Sequence, residues 1–369
     1  MPRNSRINRN ETPQRLSKFA TALLKEWQRL GLPETDAKII LAVSGGADST
    51  ALLLAIDELI KRDKLEITPV VAHLNHGLRN ESKDDAQWVK KLAKDLEYEV
   101  TVSTRDVKHA AAKRRGNLEQ AARDARYQFL TKAAEKRDSK YVLTGHTQDD
   151  QAETVVMRLL RGSAAEGLSG SSSVRQIAEG SQVQLVRPFL SWARRSETEN
   201  YCRFKGVDFR SDSMNEDQSF SRVRVRKQLM PLMQSFNNRI VETLSRTANL
   251  LGEDAAALSN QANHLIESAA DSHNNETRAP ALDVKILAKA PAAVRRRALR
   301  EWILRARGNL RRLESVHLAA VEQLLEGERG GRVAELPGGM RVARKGSKLE
   351  VMPKKRLKKV TPATKIRAR

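Results

Sequence analysis

The stretch Lys38-Ile39-Ile40-Leu41-Ala42-Val43-Ser44-Gly45-Gly46-Ala47-Asp48-Ser49-Thr50 decides the fold. Its apolar run, residues 39–43, has the length and continuity of a strand that is buried on both faces. A glycine pair follows, and residues 51–56 then have helical composition, with Asp48 or Ser49 suited to cap the helix. A strand, a turn of small residues and a helix N-terminus direct several backbone N–H groups to one point, which is how backbone holds phosphate. The stretch therefore predicts a phosphate site.

The kind of phosphate site follows from what the turn lacks. It has neither the lysine that a P-loop carries after its last glycine nor the third glycine of a dinucleotide-binding turn. Its pattern, Ser-Gly-Gly-x-Asp-Ser, resembles the pyrophosphate-binding loop of ATP pyrophosphatases, which adenylate a carbonyl oxygen and release pyrophosphate. The alternative is an ordinary strand-to-helix turn, because glycine and serine are common turn residues. If the turn binds a nucleotide, the residues predicted to bind ATP are Ser44, Gly45, Gly46, Asp48 and Ser49.

Composition restricts the partner and the compartment. The 369 residues include 67 Lys and Arg against 45 Asp and Glu, a formal charge of +22. Such an excess predicts a polyanionic partner, although a basic protein without one is the alternative. The single cysteine, Cys202, excludes a disulfide within the chain and a metal site of several thiolates. We expect no membrane span and no signal peptide, and hence a cytoplasmic protein.

Alternating strands and helices predict a doubly wound, mainly parallel α/β sheet with ligands at the carboxyl ends of its strands. Predicted strands cover 39–43, 67–74, 99–103, 140–144 and 183–186, and we expect a flexible loop at 169–173. A helical part follows, with apolar spacing over 240–270, and then a small basic α+β region with an antiparallel meander over 332–352. The predicted domains are an N-terminal extension (1–36), a catalytic domain (37–215), a helical linker (216–275), a small basic domain (276–352) and a basic tail (353–369).

Two segments carry polar residues with open interpretations. His73 and His76 follow the second strand, where a polar rim around a nucleotide is favoured over a metal site because the two would not share a strand face. Glu119, Arg123 and Arg126 lie on one face of a predicted helix. They form either a surface ion-pair ladder or an arginine site for phosphate, ordered by Glu119. The basic tail is likewise either solvated or a nucleic-acid arm.

The fourth strand is followed by the most acidic of these segments. Asp149, Asp150 and Glu153 cluster on the first turns of a predicted helix, beside His146. Helix capping accounts for one or two acids in a first turn, but three acids and a histidine exceed what a cap needs. They suit either Mg²⁺ chelation or the holding and deprotonation of a substrate ammonium.

Four blocks of sequence, in this order, resemble the tRNA(Ile)-lysidine synthetase family. They are Ser44-Gly45-Gly46-x-Asp48-Ser49, His73-x-Asn75-His76-Gly77-x-Arg79, Asn117-x-Glu119-x-x-Ala122-Arg123-x-x-Arg126-Tyr127 and His146-x-x-Asp149-Asp150-x-x-Glu153-Thr154. Shorter matches follow at Arg161-Gly162-Ser163, Gly167-Leu168, Arg187-Pro188-Phe189-Leu190, Asp212-Ser213-x-Asn215, and Arg222-x-x-x-Arg226 with Pro231. The resemblance covers residues 37–235. Val223 and Ala164 depart from the family pattern, which usually has asparagine and glycine there.

The resemblance implies a PP-loop domain of the adenine nucleotide α-hydrolase type and a two-step reaction on the wobble cytidine of an isoleucine tRNA with a CAU anticodon. ATP adenylates the C2 oxygen, and free lysine then displaces AMP. Asp48 is the implied ligand of Mg²⁺, and His73 is placed with the nucleotide. His146, Asp149, Asp150 and Glu153 are the implied lysine-handling residues, and a homodimer is left open. Substrate contacts are implied for Glu119, Arg123, Arg126, Arg161, Arg222 and Arg226.

Two other classes of function compete with this reading. Another enzyme with the same loop, such as a tRNA thiolase or an amide-forming synthetase, would have the same fold. Thiolases typically need paired cysteines, and glutamine-dependent enzymes need a glutaminase section, neither of which the sequence shows. A non-catalytic nucleic-acid-binding protein with this fold is the second competitor, although it would not need the complete set of loop and acidic residues.

Overall fold

A computed structural model describes residues 15–75, 82–105, 118–210, 217–271, 279–327 and 331–352. The chain divides into two compact units, residues 1–252 and 253–369, and the boundary lies within the long helix Ile240–Ala269. Each unit has its own apolar core. The finer domain boundaries given by the sequence stay predictions.

The first unit is built on a six-stranded sheet. In chain order its strands are β1 (Thr35–Ala42), β2 (Glu66–Asn75), β3 (Glu99–Thr104), β4 (Tyr141–Thr144), β5 (Val174–Gln176) and β6 (Gln184–Val186). Their order across the sheet is β3-β2-β1-β4-β6-β5, and only the β5–β6 pair is antiparallel. The chain winds outward from β1 in one direction and from β4 in the other, so ligands are expected beyond the carboxyl ends of these two strands. The predicted doubly wound, mainly parallel sheet is confirmed.

The structure describes the following helices up to residue 269. They are α1 (Lys18–Arg29), α2 (Ala47–Lys61), α3 (Ser82–Asp95), α4 (Leu118–Glu135), α5 (Gln148–Leu159), α6 (Ala165–Leu168), α7 (Arg195–Phe204), α8 (Ser221–Arg224), α9 (Met230–Phe236) and α10 (Ile240–Ala269). A π-helical turn, Val225–Leu229, joins α8 to α9. Residues 39–41 of β1 are fully buried, and α2 is buried from Ser49 to Leu59. An unbroken apolar strand and a helix that is buried along most of its length therefore form the centre of this unit.

The segment 169–173, predicted as a flexible loop, has no regular secondary structure, and its backbone is hydrogen-bonded to side chains of α5. The buried side chain of Gln151 accepts a hydrogen bond from the N–H of Ser171 (2.7 Å) and donates one to its carbonyl oxygen (3.1 Å). Arg158 donates to the carbonyl oxygens of Gly167 and Gly170, both at 2.6 Å. The predicted loop is therefore present, and its flexibility stays a prediction, although two long side chains of α5 bind the backbone here. Strand β5 follows directly and was not predicted.

The second unit is a small α+β structure. Beyond the end of α10 it contains β7 (Leu282–Asp283), α11 (Val284–Lys289), α12 (Ala292–Arg307), α13 (Ser315–Gln323), β8 (Val333–Leu336), β9 (Met340–Lys345) and β10 (Lys348–Met352). The antiparallel strands have the order β7-β10-β9-β8 and pack with the helices around buried Trp302. The predicted meander is confirmed, while β7 was missed because two residues carry no alternation. None of the helices that the structure describes is long and apolar enough to cross a membrane.

One buried carboxylate connects three helices of the first unit. Glu58, on α2, accepts hydrogen bonds from the backbone N–H of Ser17 (2.5 Å) and the hydroxyl of Tyr201 (2.7 Å), and it pairs with Lys205 (2.6 Å). Ser17 caps α1, Tyr201 lies on α7 and Lys205 ends α7. Burial alone would raise the pKa of Glu58, but the hydrogen bonds from Lys205, Ser17 and Tyr201 hold it below its ordinary value of 4.5. The ionised carboxylate therefore fixes α7 against α2.

Replacing Glu58 by alanine is expected to lower the free energy of unfolding by about 3 kcal/mol at pH 7, because its donors lose a buried partner. Because the folded pKa is depressed, this contribution is complete above pH 4.5 and is lost as the pH falls through the folded pKa. The difference between wild type and Glu58→Ala in urea denaturation should thus shrink in acid. Glu199→Ala, which removes a more exposed pair with Arg203 on α7, is the control and should cost about 0.5 kcal/mol or less. Equal costs for the two variants would contradict this role of Glu58.

Candidate active site

The turn after β1 is closed by its own side chains. Ser49 accepts a hydrogen bond from the N–H of Ser44 (3.1 Å) and donates one to the carbonyl oxygen of Gly46 (3.1 Å). Gly45 has φ of +98°, a left-handed conformation that favours glycine, and its carbonyl oxygen accepts from the N–H of Arg210 (2.9 Å). The turn thus has a fixed shape before any ligand binds.

Backbone donors at this turn are left without a protein acceptor. The N–H groups of Gly45, Ala47 and Asp48 donate to no other residue in the described ranges, and Gly46 at the N-cap of α2 has no side chain to cap them. The first N–H groups of a helix need an acceptor and carry the positive end of its dipole. This arrangement suits a phosphate group.

His73 lies below the turn. Its Nδ1 is 2.8 Å from the carbonyl oxygen of Val43, and the side chain is 5% exposed. Burial is the main cause that lowers the pKa of His73, so the ring is neutral near pH 7. This position supports the end of β1 and fits a supporting place at a nucleotide site better than a metal ligand. His76, Gly77 and Arg79, which belong to the same motif, lie outside the described residues.

The turn after β4 lies directly against the start of α2. A Cβ atom added to Gly145 would lie 2.6 Å from the carbonyl oxygen of Asp48 and 2.9 Å from the N–H nitrogen of Ser49. Only glycine allows the two backbones to approach this closely. At the next turn, Asp150 accepts a hydrogen bond from the N–H of Thr147 (2.9 Å) and so caps α5. The acids of α5 are thereby held beside the phosphate turn.

Three of the predicted acids form one ion network with three arginines. Arg195 is paired with Asp48 (3.5 Å), Asp150 (3.2 Å) and Glu153 (3.4 Å). Arg222 is paired with Asp150 (3.0 Å) and Glu153 (2.9 Å), and Arg226 binds Glu153 through two nitrogens at 2.6 and 3.1 Å. We call these six residues the ion network. Three carboxylates face three guanidinium groups, so its formal charges balance.

Asp149 lies at the edge of this network with partners of its own. It accepts hydrogen bonds from the Arg194 side chain (3.1 and 3.2 Å) and from the N–H of Arg195 (2.8 Å). Arg194 also pairs with Glu242 at 2.6 Å. Asp149 therefore positions the start of α7, and the structure does not place it with Asp48.

The surroundings shift the pKa values of two carboxylates of the network in opposite directions. Burial, and then the charge of Asp150, raise the pKa of Asp48 to about 6, although Arg195 and Thr198 oppose the shift. Burial would also raise the pKa of Asp150, but the charges of Arg222 and Arg195 hold it well below its usual range. An acid that stays ionised beside one that titrates near neutrality is typical of a functional site.

His146 interacts electrostatically with the ion network and with a group of further arginines. Its Nδ1 lies 2.8 Å from the hydroxyl of Thr144. Burial, together with the charges of Arg187, Arg126 and Arg222, lowers the pKa of His146 to about 3 against the attraction of Asp150. The imidazole is therefore neutral near pH 7 and can exchange hydrogen bonds, but it is a weak proton acceptor.

The predicted arginine sites separate into two groups. Arg222 and Arg226 belong to the ion network, whereas Arg123, Arg126 and Arg161 are exposed and form no ion pair in the part of the chain that the structure describes. The backbone of Glu119 lies in α4, but its side chain is outside the described residues, so its effect on Arg123 stays a prediction. Asn117, Asp212, Ser213 and Asn215 are outside them as well.

Several site residues were missed by sequence reasoning. Arg194 and Arg195 begin α7, and Thr198 on the same helix donates a 2.5 Å hydrogen bond to Asp48. Their partners lie 42–150 residues away in the chain, and only the order of the strands brings them together. A pair of arginines at a helix start, where cations are unfavourable, was the available signal.

The donor set allows a divalent cation only together with a ligand. Among the described residues, no group of three or more His, Cys, Asp and Glu side chains could hold a metal ion. Mg²⁺ is commonly bound by one or two carboxylates plus substrate phosphates. Asp48, beside free N–H groups that suit phosphate, fits that pattern.

Comparison with known families matches both units. A family described as a PP-loop domain matches residues 15–233, and one described as a TilS substrate binding domain matches residues 282–349. A solved U34-tRNA thiolase from Methanococcus maripaludis has a TM-score of 0.52 with 14% identity, over 64% of this chain and 79% of that one. At this identity the likeness concerns the fold alone.

Curated relatives share much more sequence. The chain is 36% identical over 310 residues to the tRNA(Ile)-lysidine synthase of Geobacter sulfurreducens, which is 83% of this chain but 63% of that protein. It is 34% identical over 316 residues to the enzyme of the same name from Geobacillus kaustophilus, covering 84% of this chain and 65% of that protein. The chain thus spans slightly less than two thirds of these relatives. The tRNA(Ile)-lysidine synthase of Salinispora arenicola is 35% identical over 316 residues, with 85% of this chain and 90% of that protein covered. That relative is matched over 90% of its length, and the PP-loop family matches more than half of the residues of this chain. The chain therefore belongs to the tRNA(Ile)-lysidine synthase family.

Proposed function

We propose that this protein converts the wobble cytidine of an isoleucine tRNA with a CAU anticodon into lysidine, using ATP and free lysine. The proposal rests on the close approach at Gly145, which holds a set of free N–H groups suited to phosphate against a set of carboxylates suited to an amine. The names of the relatives and the +22 charge support a tRNA substrate. A cytoplasmic location and a homodimer stay predictions from the sequence.

In the first step, the C2 oxygen of cytidine attacks the α-phosphorus of ATP. The bond from oxygen to phosphorus forms, the bond to the β-phosphate breaks, and pyrophosphate leaves. The free N–H groups of Gly45, Ala47 and Asp48 hold the departing phosphates through hydrogen bonds that need no rearrangement. Asp48 would hold Mg²⁺, which offsets phosphate charge when it is bound.

In the second step, the side-chain amine of lysine attacks C2. The lysine ammonium loses one proton to water before the attack. A carbon–nitrogen bond then forms, the bond from C2 to the AMP oxygen breaks, and the attacking nitrogen releases a second proton to water. Lysine has a pKa of about 10.4 in water, so it arrives as an ammonium without a lone pair. Asp150 and Glu153 are the carboxylates placed to hold this ammonium, and the neutral His146 is placed to exchange hydrogen bonds beside them.

Because the charges of the ion network are balanced, the lysine ammonium has to compete with one of its arginines for a carboxylate. Glu153 is 2% exposed and already binds Arg195, Arg222 and Arg226. A further cation gains full attraction only when one guanidinium turns to another anion, such as a phosphate of ATP or tRNA. We therefore expect lysine to bind weakly to the free protein and more tightly once the phosphates are present.

The direct test of the proposed function is incorporation of radiolabelled lysine. With ATP and Mg²⁺, the protein is expected to label an isoleucine tRNA that carries CAU and to release AMP and pyrophosphate. The same tRNA with another anticodon is the control and should stay unlabelled. Absence of labelled tRNA under these conditions would contradict the proposal.

The competition between lysine and arginine has its own test. Arg222→Gln removes one cation from the ion network, so it should bind lysine about tenfold more tightly than wild type in the absence of ATP and tRNA, as measured by calorimetry. Arg203→Gln, which removes an exposed arginine of α7 outside the network, is the control and should bind lysine as wild type does. Unchanged or weaker binding by Arg222→Gln would show that these carboxylates do not hold the ammonium.

A further inference from the structure

Five arginines of the first unit gather around one tyrosine. The guanidinium carbons of Arg123, on α4, and Arg175, on β5, each lie 5.1 Å from the centre of the Tyr127 ring. Arg126 and Arg187 interact electrostatically with Tyr127, and Arg158 interacts with Arg123. We call the set the arginine cluster, and its arginines are Arg123, Arg126, Arg158, Arg175 and Arg187.

The arginine cluster differs from the ion network in having no counter-charge among the residues that the structure describes. Throughout the described ranges, none of its five arginines pairs with a carboxylate. The hydrogen bonds of its inner members go to neutral carbonyl oxygens, as in the bonds of Arg187 to Ser172 (2.6 Å) and of Arg175 to Gln176 (2.6 Å). These bonds fix the guanidinium groups but leave their charges uncompensated.

Burial makes this lack of counter-charge costly. Arg187 is 2% exposed, and a buried cation is expected to have an anionic partner. Desolvation first, and then the neighbouring cations Arg123 and Arg161, lower the pKa of Arg158. Burial would raise the pKa of the Tyr127 hydroxyl, but Arg123, Arg187 and Arg175 bring it below its ordinary value. Each effect shows that a negative charge would be favourable here.

The location of the arginine cluster indicates which anion would supply that negative charge. Arg126 and Arg187 both interact electrostatically with His146, and so does Asp150 of the ion network. The cluster therefore adjoins the place proposed for the reacting base. The phosphates of ATP have their own donors in the free N–H groups at the start of α2, on the Asp48 side of the network.

We propose that the arginine cluster binds backbone phosphates of the tRNA next to the modified cytidine, with Arg123 and Arg175 held in place by stacking on Tyr127. This inference rests on the proposed function and extends it to Arg158, Arg175, Arg187 and Tyr127. A base can be presented to the α-phosphate of ATP only if its own strand is held, and arginine forks match phosphate oxygens. The cluster thus positions the substrate and takes no part in bond making.

The test compares tRNA binding and ATP binding in a double variant, Arg123→Gln with Arg175→Gln. Its dissociation constant for isoleucine tRNA should rise at least tenfold. The slope of log affinity against log salt should fall by about 0.7 to 0.9 for each tRNA phosphate that the variant no longer neutralises. ATP binding without tRNA should stay within twofold of wild type. Arg203→Gln, which removes one exposed charge elsewhere in the unit, is the control and should leave both affinities unchanged.

Two results would overturn the inference. One is tRNA affinity and salt slope equal to those of wild type, and the other is weaker ATP binding with unchanged tRNA binding, which would assign the cluster to the triphosphate. The single variant Arg123→Gln, at an exposed position of α4, gives the same readouts if the double variant does not fold. Lysine incorporation by the wild-type protein is scored separately, so failure of the proposed function is distinguishable from failure of this inference.

Discussion

The buried carboxylate of Glu153 is the constraint on which the rest of the site depends. It is 2% exposed and accepts hydrogen bonds from arginines of three segments, namely α7, α8 and the π-helical turn. An unpaired charge in such a place would cost several kcal/mol, so these segments are required to converge on α5. The convergence brings Arg195 to Asp48 and thereby joins the acids of α5 to the phosphate turn.

Two different treatments of positive charge follow from this constraint. Arginines 195, 222 and 226 are matched by carboxylates, and the network they form is neutral. The arginines around Tyr127 are matched by none in the described part of the chain, so that side of the site is prepared for an anion. His146, a neutral imidazole, interacts with Asp150 of the ion network and with Arg126 and Arg187 of the arginine cluster, so the proposed places for an amine and for a polyanion are close to the same residue. A reaction that joins an amine to a base of a nucleic acid needs both.

Much of this arrangement was predictable from local sequence. The strand, the turn and the helix around Ser44–Ser49 follow from an apolar run and a glycine pair, and the acids of α5 follow from spacing. The resemblance added the reaction and the substrates. What local patterns could not give are contacts between distant segments, such as Arg195 with Asp48 or the stacking of Arg175 on Tyr127. The hydrogen bonds that hold the backbone of segment 169–173 are of the same kind, because they come from side chains of α5, and strand β7 was missed because two residues carry no alternation.

The reaction proposed here adenylates the C2 oxygen of the wobble cytidine before lysine attacks, and this oxygen then leaves with AMP. It is tested most directly with a tRNA that carries oxygen-18 at this C2 position, incubated with the protein, ATP, Mg²⁺ and lysine. Because this oxygen leaves bound to the α-phosphorus, we expect the heavy oxygen in the phosphate of AMP. One labelled AMP should form for each lysine incorporated, and none of the label should appear in pyrophosphate. Heavy oxygen retained in the lysine-bearing tRNA, or found in a product other than AMP, would contradict it.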